Sequence, residues 1–91
     1  MPIKVVRNEK DTLIIEVIEE SETFLNLLRE ELWNIDGVKE AAFFREHPEL
    51  DNPKLFIKME RGSPKKALEK AISNLMKKLE ELKKAYLKAV Q

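Results

Sequence analysis

Apolar positions along this chain change their spacing several times, and each change marks an element. "IKVV" at 3–6 and "TLIIEVI" at 12–18 are short β-rich runs separated by the polar "RNEKD", the pattern of a hairpin. In the second run Leu13, Ile15 and Val17 fall on one face, and Ile14, Glu16 and Ile18 on the other. From residue 21 the spacing becomes helical. Ser21 or Thr23 supplies an N-cap, the helix runs to about Ile35, and Gly37 of "DG" takes the C′ position. "VKEAAFFR" at 38–45 and "KLFIKME" at 54–60 return to strand spacing. In the latter, Leu55, Ile57 and Met59 oppose Lys54, Lys58 and Glu60, with Phe56 the one apolar residue on the charged side. The turn-rich "EHPELDNP" joins these two strands. "GSP" at 62–64 then opens a helix, with Ser63 as N-cap and Pro64 at N1, that no Pro or Gly interrupts before about Ala89. The order predicts an α+β fold, ββαββα: an antiparallel sheet with two helices on one face, the second of them long.

The long helix has more apolar surface than one sheet can use. Leu68, Ile72, Leu75, Leu79, Leu82, Tyr86 and Ala89 follow one another at alternating steps of four and three, a sustained heptad seam. At 1.5 Å per residue the helix is about 39 Å long, whereas a compact domain of this size is about 30 Å across. Up to residue 76 the stripe is broad, with Ala67, Ala71 and Met76 beside the seam; beyond that it narrows. One domain over 1–91 is expected, with 77–91 overhanging the sheet to meet a partner. The first helix points the same way. Phe24, Leu25, Leu28, Leu32 and Ile35 make a stripe wide enough for the sheet, yet Leu27 and Trp33 project on either side of it. Asn26 is in line with Trp33, and Arg29 lies beside them. The expected partner interface is therefore Asn26, Leu27, Arg29, Trp33, Leu75, Leu79, Leu82 and Tyr86.

Composition narrows the function by exclusion. No apolar run approaches the roughly 20 residues that cross a bilayer, and the N-terminus does not read as a signal peptide, so a cytoplasmic protein is expected. There is no cysteine, hence no disulfide framework and no thiolate metal site. The single histidine, His47, sits in a Pro-flanked loop with no Ser or Cys beside it, which reads as a turn residue and not a general base. "EHPELD" does not match a zinc or calcium ligand pattern, and two glycines cannot build a phosphate-cradling loop. No catalytic residue, cofactor or metal is expected in this chain.

Net charge is zero, but residues 1–62 hold 9 basic and 14 acidic side chains and residues 63–91 hold 8 and 3. The basic half invites a nucleic-acid reading. Lys66, Lys70, Lys77, Lys84 and Lys88 cluster opposite the leucine seam with no aromatic among them, which is what a solvated outer face requires. Direct nucleic-acid contact is not expected. On these grounds the chain is a small dimerisation module; a homodimeric regulatory or ligand-binding α+β domain is the alternative.

Three motifs carry a family resemblance. "ETFLNLLREEL", "FFREHPELDNPKLFIKME" and "GSPKKALEKAISNLMKKLEEL" together resemble the small α-like subunits of DNA-directed RNA polymerase. In archaea these are subunit L; their kin are the eukaryotic small α-like subunits and the N-terminal dimerisation part of bacterial α. The core of the resemblance is Thr23, Phe24, Asn26, Leu28 and Arg29, followed by His47–Pro48, an alternating strand, and "SP" before an Ala/Leu heptad helix. This chain has Glu22 where members often carry His, and Leu25 where Gly is common. The resemblance implies a heterodimer with the larger of the two archaeal α-like subunits, designated D. Joined by subunits N and P, that pair would form the platform for the large catalytic subunits, which would own the catalysis of transcription.

Overall fold

A computed structural model describes residues 3–18, 22–47 and 51–91. Six elements follow one another: β1 (Ile3–Asn8), β2 (Thr12–Val17), α1 (Glu22–Trp33), β3 (Val38–Phe44), β4 (Lys54–Met59) and α2 (Pro64–Ala89). The strands form one antiparallel sheet in the order β1-β2-β4-β3. β2 and β4 pair in the centre, Leu13 opposite Ile57 and Ile15 opposite Leu55, because these strands present alternating buried side chains. Both helices lie over that buried face. The ββαββα order and α+β class expected from the sequence are what the chain adopts.

The core is Leu13, Ile15 and Val17 of β2, Leu55, Ile57 and Met59 of β4, and Ala41 of β3, under Leu25, Leu28 and Leu32 of α1 and Ala67, Ala71 and Leu75 of α2. α1 packs over β3, and α2 over β2 and β4. β1 is left with almost no helix above it, and all six of its residues are exposed. A bulge between Val5 and Arg7 shifts its register against β2.

Two local expectations change. α1 starts at Glu22, so Thr23 lies inside it, and Ser21 lies outside the described residues. At its other end α1 stops at Trp33, because Asn34 and Ile35 donate to the carbonyls of Glu31 and Leu32 and tighten the chain into a turn. Gly37 is therefore not the residue after the helix. It sits in the turn that leads into β3, at φ +90°, where a Cβ would lie 2.3 Å from the Arg61 carbonyl oxygen. Its own carbonyl accepts from Glu60 N–H at 2.7 Å, which joins the α1–β3 turn to the end of β4. The Asp36–Arg61 ion pair closes the same junction. At the head of α2 Ser63 Oγ accepts from Lys66 N–H, with Pro64 in the first helical position, as the "GSP" motif predicts.

Candidate partner-binding surface

Burial along α2 stops abruptly. Leu75 is the last buried residue, and every residue from Met76 to Gln91 is exposed. The molecule is accordingly elongated, 48 Å along its longest axis and 17 Å along its shortest. Past Leu75 the apolar side chains persist: Leu79 is 49% exposed, Leu82 65% and Tyr86 64%, with Leu87 and Val90 beyond.

At 100° per residue only Leu82 of this exposed stripe falls in line with the buried residues. Ala67, Ala71 and Leu75 point to the core, whereas Leu79 and Tyr86 prolong the flank that carries Leu68 and Ile72. That flank faces β1. Leu68 and Ile72 border an apolar cavity of about 40 Å³ together with Ile3, Ile15, Val17, Phe24, Leu25 and Leu28. Ile3 and Val5 stand opposite Val17 and Ile15, so they face the helix side of the sheet, yet both are exposed for want of a helix above them. A continuous apolar strip thus runs from β1 across Leu68 and Ile72 and out along the free half of α2. A contiguous exposed apolar strip on a chain this small makes this face the candidate surface for another protein.

The residues expected at the interface separate into three groups. Leu79, Leu82 and Tyr86 lie exposed on the free half of α2. Leu75 does not: it is 6% exposed and closes the chain's own core, because the seam drifts around the helix and its third position still lies over the sheet. The α1 residues divide between two flanks. Leu27, exposed, sits between Phe24, which shares the cavity with Leu68, and Glu31, whose carboxylate accepts from Lys78 of α2 at 2.9 Å. Asn26, Arg29 and Trp33 lean to the opposite, β3 side. The Arg29 guanidinium stacks 5.4 Å from the Phe43 ring centroid, Trp33 is about half-exposed, and Asn26 is half-buried. Ile3, Val5, Leu68 and Ile72 belong to the strip although they were not among the expected interface residues; the alternation of Ile3 and Val5 around Lys4 was the available signal.

The other candidate chemistries are placed as follows. His47 is exposed, and its backbone N–H donates to Asp51 Oδ2 at 3.1 Å while its carbonyl accepts from Asp51 N–H. Pro48 lies outside the described residues. Lys66, Lys70, Lys77, Lys84 and Lys88 are all exposed. A cavity of about 230 Å³ beside the start of α2 is bordered by Ile35, Met59, Ser63, Lys66 and Lys70 and opens to solvent. Among the described residues no helix is long and apolar enough to cross a membrane, and no cluster of three or more His, Asp or Glu is gathered as metal ligands.

Comparison with known proteins gives these surfaces a family. A family model described as the RNA polymerase Rpb3/Rpb11 dimerisation domain matches residues 12–85. The DNA-directed RNA polymerase subunit Rpo11 of Thermoplasma volcanium is 39% identical over 80 residues, covering 88% of this chain and 72% of that one. Its counterpart in Methanococcoides burtonii is 31% identical over the full length of both chains. The crystal structure of DNA-directed RNA polymerase subunit L from Thermoplasma acidophilum superposes with a TM-score of 0.87 at 32% identity, over 97% of this chain and 87% of that one. On the family match, the identities and the shared fold, the chain belongs to the RNA polymerase Rpb3/Rpb11 dimerisation domain family.

Proposed function

We infer that this chain is an assembly subunit of DNA-directed RNA polymerase that pairs, through the strip along α2 and β1, with the larger α-like polypeptide of the enzyme, designated D. The observation that carries this is an apolar stripe on α2 continuing about 21 Å past the last buried core residue, in a chain whose family is a dimerisation domain. Leu27, Leu79, Leu82 and Tyr86, with Ile3, Leu68 and Ile72, form the pairing surface. The β3-side flank of α1 is separate from it. There Asn26, Arg29 and Trp33 are available to a further subunit after pairing, and Arg29, already oriented by Phe43, presents a forked donor to a carboxylate. Subunits N and P and the large catalytic subunits join the pair, in the cytoplasm. The chain holds no cofactor, and the nucleotidyl-transfer chemistry belongs to the large subunits.

Co-expression with the α-like partner tests the reading. A 1:1 complex is expected that recruits the large subunits. Isolation of this chain only with itself, or only with nucleic acid, would refute it.

A further inference from the structure

We propose that the Glu31–Lys78 ion pair is the positioning device for the free half of α2, fixing the angle and register at which its apolar seam meets the partner. The proposal rests on the pairing described above. Glu31 is a charged residue inside the helix interface, 7% exposed, and Lys78, three residues past the last buried position of α2, reaches back to it at 2.9 Å. The two side chains are unequal: that of Glu31 is 10% exposed and that of Lys78 62%. The carboxylate is buried, and the ammonium comes to it from the surface.

Stability alone is a poor reason for this arrangement. An apolar residue of similar size at 31 would fill the same place between the helices without desolvating a charge. What an ion pair adds is direction. The α1–α2 contact up to this point includes small side chains on α2, Ala67 and Ala71, whose packing lets the helices sit close but does not resist sliding or tilting. A buried carboxylate whose hydrogen-bond partner is Lys78 keeps that bond only while Lys78 stays within reach, so the pair limits how far the free half of α2 can swing or slide, much as a single polar residue restricts register in a coiled coil. Its location matters because α2 beyond Leu75 is a lever. A swing of α2 by about 15° about Leu75 would move the tip at Ala89 sideways by about 5 Å, roughly half the distance between packed helix axes, which is enough to take Leu82 and Tyr86 out of contact with their partner residues. Glu31 and Lys78 act at the fulcrum.

The experiment separates the positioning role from simple stability and from the pairing itself. Nitroxides are attached at exposed positions 39 and 88, after cysteine substitution, and the distance distribution is measured in the isolated chain by pulsed electron resonance. Affinity for the larger α-like subunit is measured in parallel for the unlabelled chain, for Glu31→Gln, for Lys78→Gln and for the charge swap Glu31→Lys with Lys78→Glu. Each single substitution is expected to broaden the distance distribution and weaken partner affinity about tenfold, because Glu31→Gln removes the charge of the acceptor and Lys78→Gln removes the charge and the reach of the donor. The swap, which restores the ion pair, is expected to narrow the distribution and recover most of the affinity; a contribution to stability alone would instead lower the melting temperature of the single variants while leaving their distances and partner affinity unchanged. Lys78→Gln alters an exposed position, so it keeps the test decisive should Glu31→Gln unfold. Unchanged distance distributions in the single variants, or unchanged affinity while Leu82→Asp abolishes pairing, overturn the proposal. Affinity indifferent to Leu82→Asp overturns the pairing surface instead, and the distances then still decide the positioning role.

Discussion

Replacing Leu82 with aspartate separates the two halves of α2 energetically. In the isolated chain Leu82 is 65% exposed and seven residues beyond the last buried position, so the substitution removes little packing. A surface change of this kind costs about 0.5 kcal/mol or less, and the unfolding midpoint should hardly move. On the proposed pairing surface the same position is buried in the complex. Complete burial of a leucine side chain is worth about 1.5–3 kcal/mol, and since roughly two thirds of Leu82 remains to be covered, about 1–2 kcal/mol of that is lost. An unpaired carboxylate in the seam adds about 3–5 kcal/mol. The sum, about 4–7 kcal/mol, weakens the complex by a factor of about 10³ or more. Ile57→Asp is the control: Ile57 is fully buried in the centre of the sheet, and its replacement should unfold the chain itself. The assay is a thermal melt of each isolated variant, together with sedimentation of each variant mixed with the larger α-like subunit. The reasoning is refuted if Leu82→Asp lowers the melt as Ile57→Asp does, which would put the distal helix in the chain's own core. It is equally refuted if Leu82→Asp melts normally and pairs with undiminished affinity.

Asn26→Leu, which removes an amide on the β3-side flank, should leave the isolated fold intact while weakening assembly about tenfold; Arg29→Lys in the same assay should pair normally but reduce incorporation of the large subunits, since it loses both the stack on Phe43 and the forked donor. Active polymerase at normal yield from both variants would show these side chains to be idle. Lys70, Lys77 and Lys84 changed together to glutamine should leave both the DNA affinity of the heterodimer and its salt dependence as they were, whereas a shallower slope of affinity against salt would reveal phosphate contacts. Gly37→Ala should cost about 2–3 kcal/mol, or roughly 10–15 °C in melting temperature, because the left-handed φ and the Arg61 carbonyl both oppose a Cβ. Gly62→Ala is the comparison: it shares the positive φ but its Cβ would meet nothing closer than Met59 Cε at 3.9 Å, so a melt as low as that of Gly37→Ala would show that crowding is not the cause.

Much of this fold is legible in the sequence, because each element carries a local signal that the tertiary structure respects. The alternation in β2 and β4 names the core residues, and "GSP" names the start of α2. What escapes is whatever depends on two elements at once. Leu75 fits the heptad as well as Leu79 does, but where the sheet ends beneath α2 is set by sheet width, which no periodicity encodes. Ile3 and Val5 alternate like core residues, and only the placing of both helices away from β1 leaves them open. Asn26 and Leu27 are neighbours in the chain but fall on opposite flanks of α1, a distinction that needs α2 and β3 to be in place. Glu31 carries no local mark at all: it becomes notable only because Lys78, 47 residues later, reaches it.

The free half of α2 also bears on the entropy of association. An isolated 14-residue peptide with this sequence would be a marginal helix in water, because starting a helix is improbable by a factor of about 10³. Here the buried half, from Pro64 to Leu75, is already helical and serves as the nucleus, so residues 76–89 need only propagate. Their composition suits propagation: Met, Lys, Leu, Glu and Ala, with a single Tyr and no Gly, Pro or β-branched residue. A partner arriving at this surface meets a backbone already ordered, and association need restrict only side chains. Were the same segment a coil, ordering it would oppose binding by about 1–2 kcal/mol for every residue. The core that supports the first half of α2 thus makes the second half ready for a partner it has not yet met.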